Sequence, residues 1–186
     1  MNVDLQTIAV AARQNEEEAI RLIAGLSTAQ ANWHPNESQW SIWQCLDHLA
    51  RVNLAYAPAL QEAVTGCPRR FRAAADRISP GWFGRWFIRQ MEPPVRAKFK
   101  SPAKGIPKTE GDLRDAMDRY LASHKALATI LESSSSVDLN RLRFKNPFIS
   151  ALRFTVGTGL LIVNAHDRRH LWQANRVRET AGFPAH

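Results

Sequence analysis

The stretch from Ile42 to Leu60 constrains the fold most. Ile42, Leu46, Leu49, Tyr56 and Leu60 recur at three-, four- and seven-residue steps, the spacing of one helix face. Cys45, His48, Val52 and Ala55 form a second stripe beside the first. Two such stripes can both face the interior of a helix bundle. The start of this helix is marked. Ser41-Ile42-Trp43-Gln44 fits the S-x-x-Q capping box, with Trp40 before it as an apolar staple. Pro58 is expected to kink or end the helix.

Three other stretches carry the same period. Leu5, Ile8, Ala12, Ala19, Leu22 and Leu26 predict a first helix from Asp4 to Leu26. Leu113, Met117, Tyr120, Leu121, Leu127 and Leu131 predict a third, with Thr109 to Asp112 resembling a capped start and Ser133 to Ser136 ending it. A fourth begins between Ser150 and Thr158 and runs to about Glu179, stopped by Gly182 and Pro184. Gly157 and Gly159 lower its helix propensity but permit close packing. Ser27 to Gln39, with Trp33-His34-Pro35, reads as a loop, and Val137 to Ser150 as a basic connector. No stretch reads as a strand. The expected architecture is all-α: a single domain over residues 1–186, a four-helix bundle with a long, partly irregular insertion at about 66–107.

That insertion holds many prolines, arginines and lysines around Trp82-Phe83-Gly84-Arg85-Trp86-Phe87-Ile88. A connection this long in a compact domain is usually functional or mobile. Its aromatic residues could cover a pocket, pack beneath the crossover, or touch a membrane surface.

Charge opens options without choosing. There are 25 basic and 17 acidic residues, a net charge of +8. That balance suits anions, acidic surfaces or nucleic acid. The basic residues are spread along the chain without a recognised nucleic-acid motif, so no nucleic-acid partner is expected. No basic region followed by an apolar run opens the chain, and no apolar run approaches the ~18 residues of a membrane span. With only Cys45 and Cys67, the expectation is a reducing cytoplasm and no structural disulfide.

The chemistry gathers around His166-Asp167-Arg168-Arg169-His170-Leu171-Trp172-Gln173. Residues at i and i+4 stand one above the other on a helix, so His166 and His170 share a face. Val156, Leu160 and Val163 run into that face, and Ala174 and Val177 continue it. Two imidazoles so placed could share a metal ion, or could be core histidines bonded to neighbours. The glutamate of HExxH is absent. His48 adds a third histidine in an apolar setting. His124, on or near the stripe of the third helix, is expected to be a satisfied core or boundary residue, and His34 a loop residue.

Together these segments resemble the DinB-like (DinB/YfiT) superfamily of inferred metalloenzymes. There, a W-S-[IV]-x-x-x-x-x-H-[LI] segment supplies one histidine, as Trp40 to Leu49 does here. An H-x-x-x-H-x-x-Q segment supplies two, as His166 to Gln173 does here. The resemblance covers the helix order, the Trp33–Pro35 loop and both histidine segments; residues 66–107 depart from it, being longer and more aromatic. It implies a divalent-metal triad of His48, His166 and His170, zinc or nickel first and iron next. Three protein ligands leave a position for substrate or water. It further implies thiol-dependent S-transferase chemistry like that of relatives using bacillithiol or mycothiol. Metal-dependent hydrolysis and a non-catalytic stress-response module are the alternatives. The implied partner is a small molecule, such as a low-molecular-weight thiol, and a homodimer remains open.

Helix geometry sorts the neighbours. At about 100° per residue, Gln173 points within about 40° of the direction midway between the two histidines, Asp167 and Arg169 flank that face at about 80°, and Arg168 points to solvent. Gln44, one turn before His48, and Gln173 are candidates to orient the imidazoles. Cys45 is expected to act as a small buried hydrophobe. Arg169 and the basic residues of the Arg85–Lys108 region are candidates to meet an anionic substrate.

Overall fold

A computed structural model describes residues 2–75, 77–95 and 101–185. Four long helices carry it: α1 (Leu5–Ile23), α3 (Ile42–Thr65), α5 (Leu113–Ser133) and α6 (Val156–Arg178). Two shorter helices are α2 (Thr28–Asn32) and α4 (Trp82–Met91). α3 packs on α5 and α6, and α1 closes the ring against the same two helices. The result is the four-helix bundle that the apolar spacing predicts.

Side chains fix where the long helices begin. Asp4 accepts from the Thr7 amide, Asp112 from the Asp115 amide and Thr155 from the Thr158 amide. The Ser41–Gln44 capping box forms with both of its bonds. Each cap satisfies an amide that the first turn leaves without an intrahelical partner.

The wide apolar face of α3 divides the core in two. Trp43, Leu46 and Leu49 join Tyr120 and Leu171 in one cluster. Tyr56 and Leu60 join Ile130, Phe144 and Val156 in the other. On α6, His166 and His170 fall between the two clusters; on α3, His48 lies one turn before the changeover at Val52 and faces His166. The polar residues therefore stand at the joint of two apolar cores. α1 is keyed to α6 by a buried amide pair, in which Asn15 Nδ2 donates to the Asn164 carbonyl at 3.1 Å.

Four expectations are corrected or made more specific. The segment expected to be a loop from Ser27 to Gln39 contains α2, opened by a second capping box, Ser27 with Gln30. α3 runs through Pro58 and ends at Thr65. The insertion contains a regular helix, α4. Its Gly84 lets it lie close on α6: a Cβ there would stand 2.9 Å from Thr158 Cγ2. Finally, the basic connector and the residues after it form an antiparallel hairpin, β1 (Arg143–Lys145) and β2 (Arg153–Thr155), with Phe144 opposite Phe154. Strands of three residues are too short for alternation to be read. Their two inward phenylalanines tie them to the bundle.

Gly159 shows how tightly the hairpin is seated. A Cβ there would meet Phe144 Cε1 at 2.5 Å and Leu60 Cδ2 at 3.0 Å. In an open helix, Gly→Ala gains about 1 kcal/mol. Overpacking a core costs about 1–3 kcal/mol. Gly159→Ala is therefore expected to lower the melting temperature in thermal denaturation. An unchanged or raised value would show that Phe144 moves aside freely.

Candidate metal centre

α3 and α6 bring His48, His166 and His170 together, with one ring nitrogen from each within 4.8 Å of the others. His48 Nε2 and His166 Nε2 are 3.2 Å apart. Two imidazoles on a tetrahedral ion at about 2.0–2.1 Å would hold their nitrogens about 3.3 Å apart. Ring centroids in the trio are separated by 4.5 to 4.9 Å.

Two of the rings are oriented by acceptors. His48 Nδ1 faces the Gly105 carbonyl at 2.5 Å. A carbonyl only accepts, so Nδ1 carries the proton and Nε2 presents a lone pair to the centre. His170 Nδ1 faces Gln173 Oε1 at 3.0 Å, which fixes the same tautomer. Among the described residues His166 Nδ1 has no partner. The donor set therefore fits a borderline divalent cation: neutral imidazoles with lone pairs converging on one point.

Gln173 thus touches an imidazole, whereas Gln44 does not. Gln44 Oε1 accepts from the Ser41 amide, and its Nε2 donates to the Lys108 carbonyl at 3.2 Å. Asp47 Oδ2 accepts from the Lys108 amide at 3.0 Å, and its carboxylate also takes Arg51 and Arg119. Burial opposes ionisation of Asp47, but the bonds from Arg119 and Arg51 hold its pKa below the usual carboxylate value. Gln44 and Asp47 together pin the strand of chain that brings Gly105 to His48. Sequence reasoning missed Gly105 and Asp47, because their partners are far away in sequence and one contact is made by backbone.

The trio opens into a cavity of about 830 Å3. Trp40 forms one wall, its ring stacked on His170 at 5.5 Å and tilted over His48 at 4.8 Å. Phe148, Ile162 and Phe87 are among its apolar lining residues, and Arg169 and Arg176 among its basic ones. Arg169 is buried and donates to the Gln90 carbonyl at 2.8 Å. Arg168, expected in solvent, instead grips Glu92 through two bonds, because the C-terminal end of α4 docks on that side of α6. Of the other basic residues in the Arg85–Lys108 region, Arg96, Lys98 and Lys100 lie outside the described residues.

The remaining candidates sort by neighbour. Asp167 turns away from the trio into the core and is fully buried. It receives His124 Nε2 at 2.8 Å and Asn53 Nδ2 at 3.1 Å. His124 is thus a bonded core residue. His34 Nδ1 meets the Gln39 carbonyl in its loop. Burial pushes the Cys45 thiol up, which makes it a poor nucleophile in the core.

The two kinds of buried histidine respond to acid in opposite ways. Burial lowers the pKa of His48, His166 and His170 below the ordinary 6.5, and mutual proximity adds to this for His166 and His170. Below 6.5 the unfolded chain binds protons that these rings resist, so stability falls as pH falls. For His124, burial opposes charge but the bond and charge of Asp167 outweigh it and raise the pKa. Its contribution is complete below 6.5 and is lost as pH rises through the raised value. With three groups against one, the metal-free protein is expected to lose melting temperature as pH drops below 6.5. In His124→Gln that acid loss should steepen. A flat profile would mean that the three imidazoles titrate normally.

Comparison with known proteins agrees with this architecture. The uncharacterized protein YuaE of Bacillus subtilis (strain 168) is 24% identical over 164 residues, covering 84% of this chain and 88% of that protein. No solved structure matches significantly. The sequence profile of the DinB superfamily matches residues 11–174, from within α1 to within α6 and across all three clustered histidines, and the chain belongs to that superfamily.

Proposed function

We propose that this protein is a metal-dependent enzyme in which His48, His166 and His170 hold one divalent ion, zinc or nickel before iron. The observation that carries the reading is three neutral, converging imidazoles beside a cavity of about 830 Å3. Three protein donors leave coordination positions open, the arrangement of a working site rather than a closed structural one. An ion held there supplies Lewis acidity that makes a thiol, or in the alternative reading water, a better nucleophile at neutral pH. The preferred reaction is transfer of a low-molecular-weight thiol to an electrophile; hydrolysis is the runner-up, and a non-catalytic metal-binding module the third reading.

The chain's own residues have definite parts in this scheme. Gly105 and Gln173 fix the tautomers of His48 and His170. Trp40 packs across both rings and restricts water. Phe148, Ile162 and Phe87 offer an apolar bed for the electrophile. Arg169 and Arg176 give the same cavity a cationic side suited to a carboxylate on either reactant.

Thermal shift with and without zinc or nickel tests the ligands. His48→Ala, His166→Ala and His170→Ala are each expected to abolish most of the metal-induced rise. His34→Ala should keep it. His124→Ala should keep it too, on a lowered baseline, because Asp167 loses a buried partner. Gln173→Ala should weaken metal binding by about 10–100-fold, the usual effect of removing a group that orients a ligating imidazole. Retention of the shift in His48→Ala would break the triad. Screening the metal-loaded protein with thiols and electrophiles then separates transfer, hydrolysis and binding without turnover.

A further inference from the structure

We propose that the outer face of α4 is a docking surface for anionic lipid membranes. The reasoning begins with where the charge lies. Residues 66–107 contain ten lysines and arginines against two acids, Asp76 and Glu92. The other residues contain fifteen basic and fifteen acidic side chains, so the net charge of +8 belongs entirely to the insertion. Of its two acids, Glu92 is already engaged by Arg168.

α4 is the regular helix of that insertion, and its exposure follows one stripe. Trp82, Arg85, Trp86 and Arg89 are exposed, at i, i+3, i+4 and i+7. Gly84 and Ile88 are buried, Phe83 stacks on Phe154 of the hairpin, and Phe87 meets the same ring at a tilt. The tryptophans touch those phenylalanines only from outside, Trp82 edge-on to Phe83 and Trp86 stacked on it, and keep their outer faces in solvent. Trp82 is 81% exposed and Trp86 48% exposed. Leaving two tryptophan rings in water is unfavourable unless something covers them.

Tryptophan and arginine on one helix face suit the boundary of an anionic bilayer. The indole ring settles at headgroup depth, while guanidinium groups bond phosphates. Two other occupants fit less well. A second copy of this face would bring Arg85 and Arg89 against their own counterparts. A tryptophan projecting from a helix cylinder lies outside any groove that could follow a nucleic-acid strand. Trp86 and the 43% exposed Ile149 also line the cavity beside the histidines, so the docked face would set the cavity's rim near the lipid. No helix among the described residues is long and apolar enough to cross a membrane, so the contact is peripheral.

Flotation with unilamellar vesicles tests this independently of metal binding. The full chain is expected to float with vesicles of equal parts phosphatidylcholine and phosphatidylglycerol, to stay behind with phosphatidylcholine alone, and to be released by salt. Its tryptophan emission should shift to the blue on binding. Arg85→Gln with Arg89→Gln should weaken binding about 25-fold, since each basic residue near an anionic surface contributes about fivefold. Trp82→Ala should weaken it by roughly tenfold or more, and at 81% exposure its loss leaves the melting temperature unchanged. Four results would overturn the proposal. These are no flotation of the parent with anionic vesicles, equal flotation with neutral ones, unchanged binding in the variants, and occupation of the face through Trp82 by single-stranded nucleic acid or a second copy.

Discussion

Three imidazoles crowded at the joint of two apolar cores are the constraint on which the rest of the structure depends. None of them can easily take a proton there. Burial disfavours the charged form, and each ring sits close to two others that would repel it. The neighbours direct lone pairs inward by occupying the outer nitrogens of His48 and His170. Such a cluster is poorly satisfied by protein alone, because one shared proton between His48 and His166 leaves the third ring's inner nitrogen facing lone pairs. A single cation would satisfy all three at once.

Holding that cluster requires more than two helices. α3 and α6 set the three Cα positions, yet the His48 ring would be free to turn without Gly105. Gly105 lies in a segment with little secondary structure of its own beyond a single turn. It is placed by Asp47 and Gln44 through the Lys108 backbone, one turn and less from His48 on the same helix. Gly105 itself has little room: a Cβ there would approach the Ser101 hydroxyl at 3.0 Å and the His48 ring at 3.4 Å. α3 thus supplies both the histidine and the anchor for the group that orients it.

Much of this was legible in the sequence, and the omissions share a cause. Apolar periodicity located the four long helices, because each presents a face to a common core. Capping chemistry placed the start of α3 at Ser41, and i,i+4 spacing put His166 and His170 on one face. Ser27-Thr28-Ala29-Gln30 carries the same S-x-x-Q signal, but the five residues of α2 are too few to show a period. The hairpin was invisible for the same reason. α4 was hidden by its surroundings of proline and arginine and by tryptophans on its outer side, which blur the contrast between faces. The contacts of Gly105, Asp47 and Arg168 join residues far apart in the chain, and no local pattern reports them. Gln44 shows the limit of a helical wheel: it lies on the correct face and one turn from His48, but its amide is used by the cap and by Lys108.

His166 and Asp167 are adjacent residues with opposite tasks, and their difference explains how one helix serves both a site and a core. On α6 successive side chains diverge by about 100°. His166 therefore reaches the cavity while Asp167 enters the bundle toward α5 and α3. There the carboxylate meets His124 and Asn53, with the Tyr120 hydroxyl at 3.5 Å. A buried carboxylate without donors would be costly, and removing one partner of such a pair is strongly destabilising. With its donors in place it holds α6 to α5 and α3 at the turn that carries His166, so the ring's position is set from behind as well as from the cavity. Asp167 raises the pKa of the histidine that answers it, whereas burial first, and for His166 and His170 the neighbouring rings as well, lowers it for the three facing the cavity. Identity of side chain decides little here; burial and the nearest charged or polar atom decide whether an imidazole is biased toward its proton or keeps a lone pair that a metal ion could use.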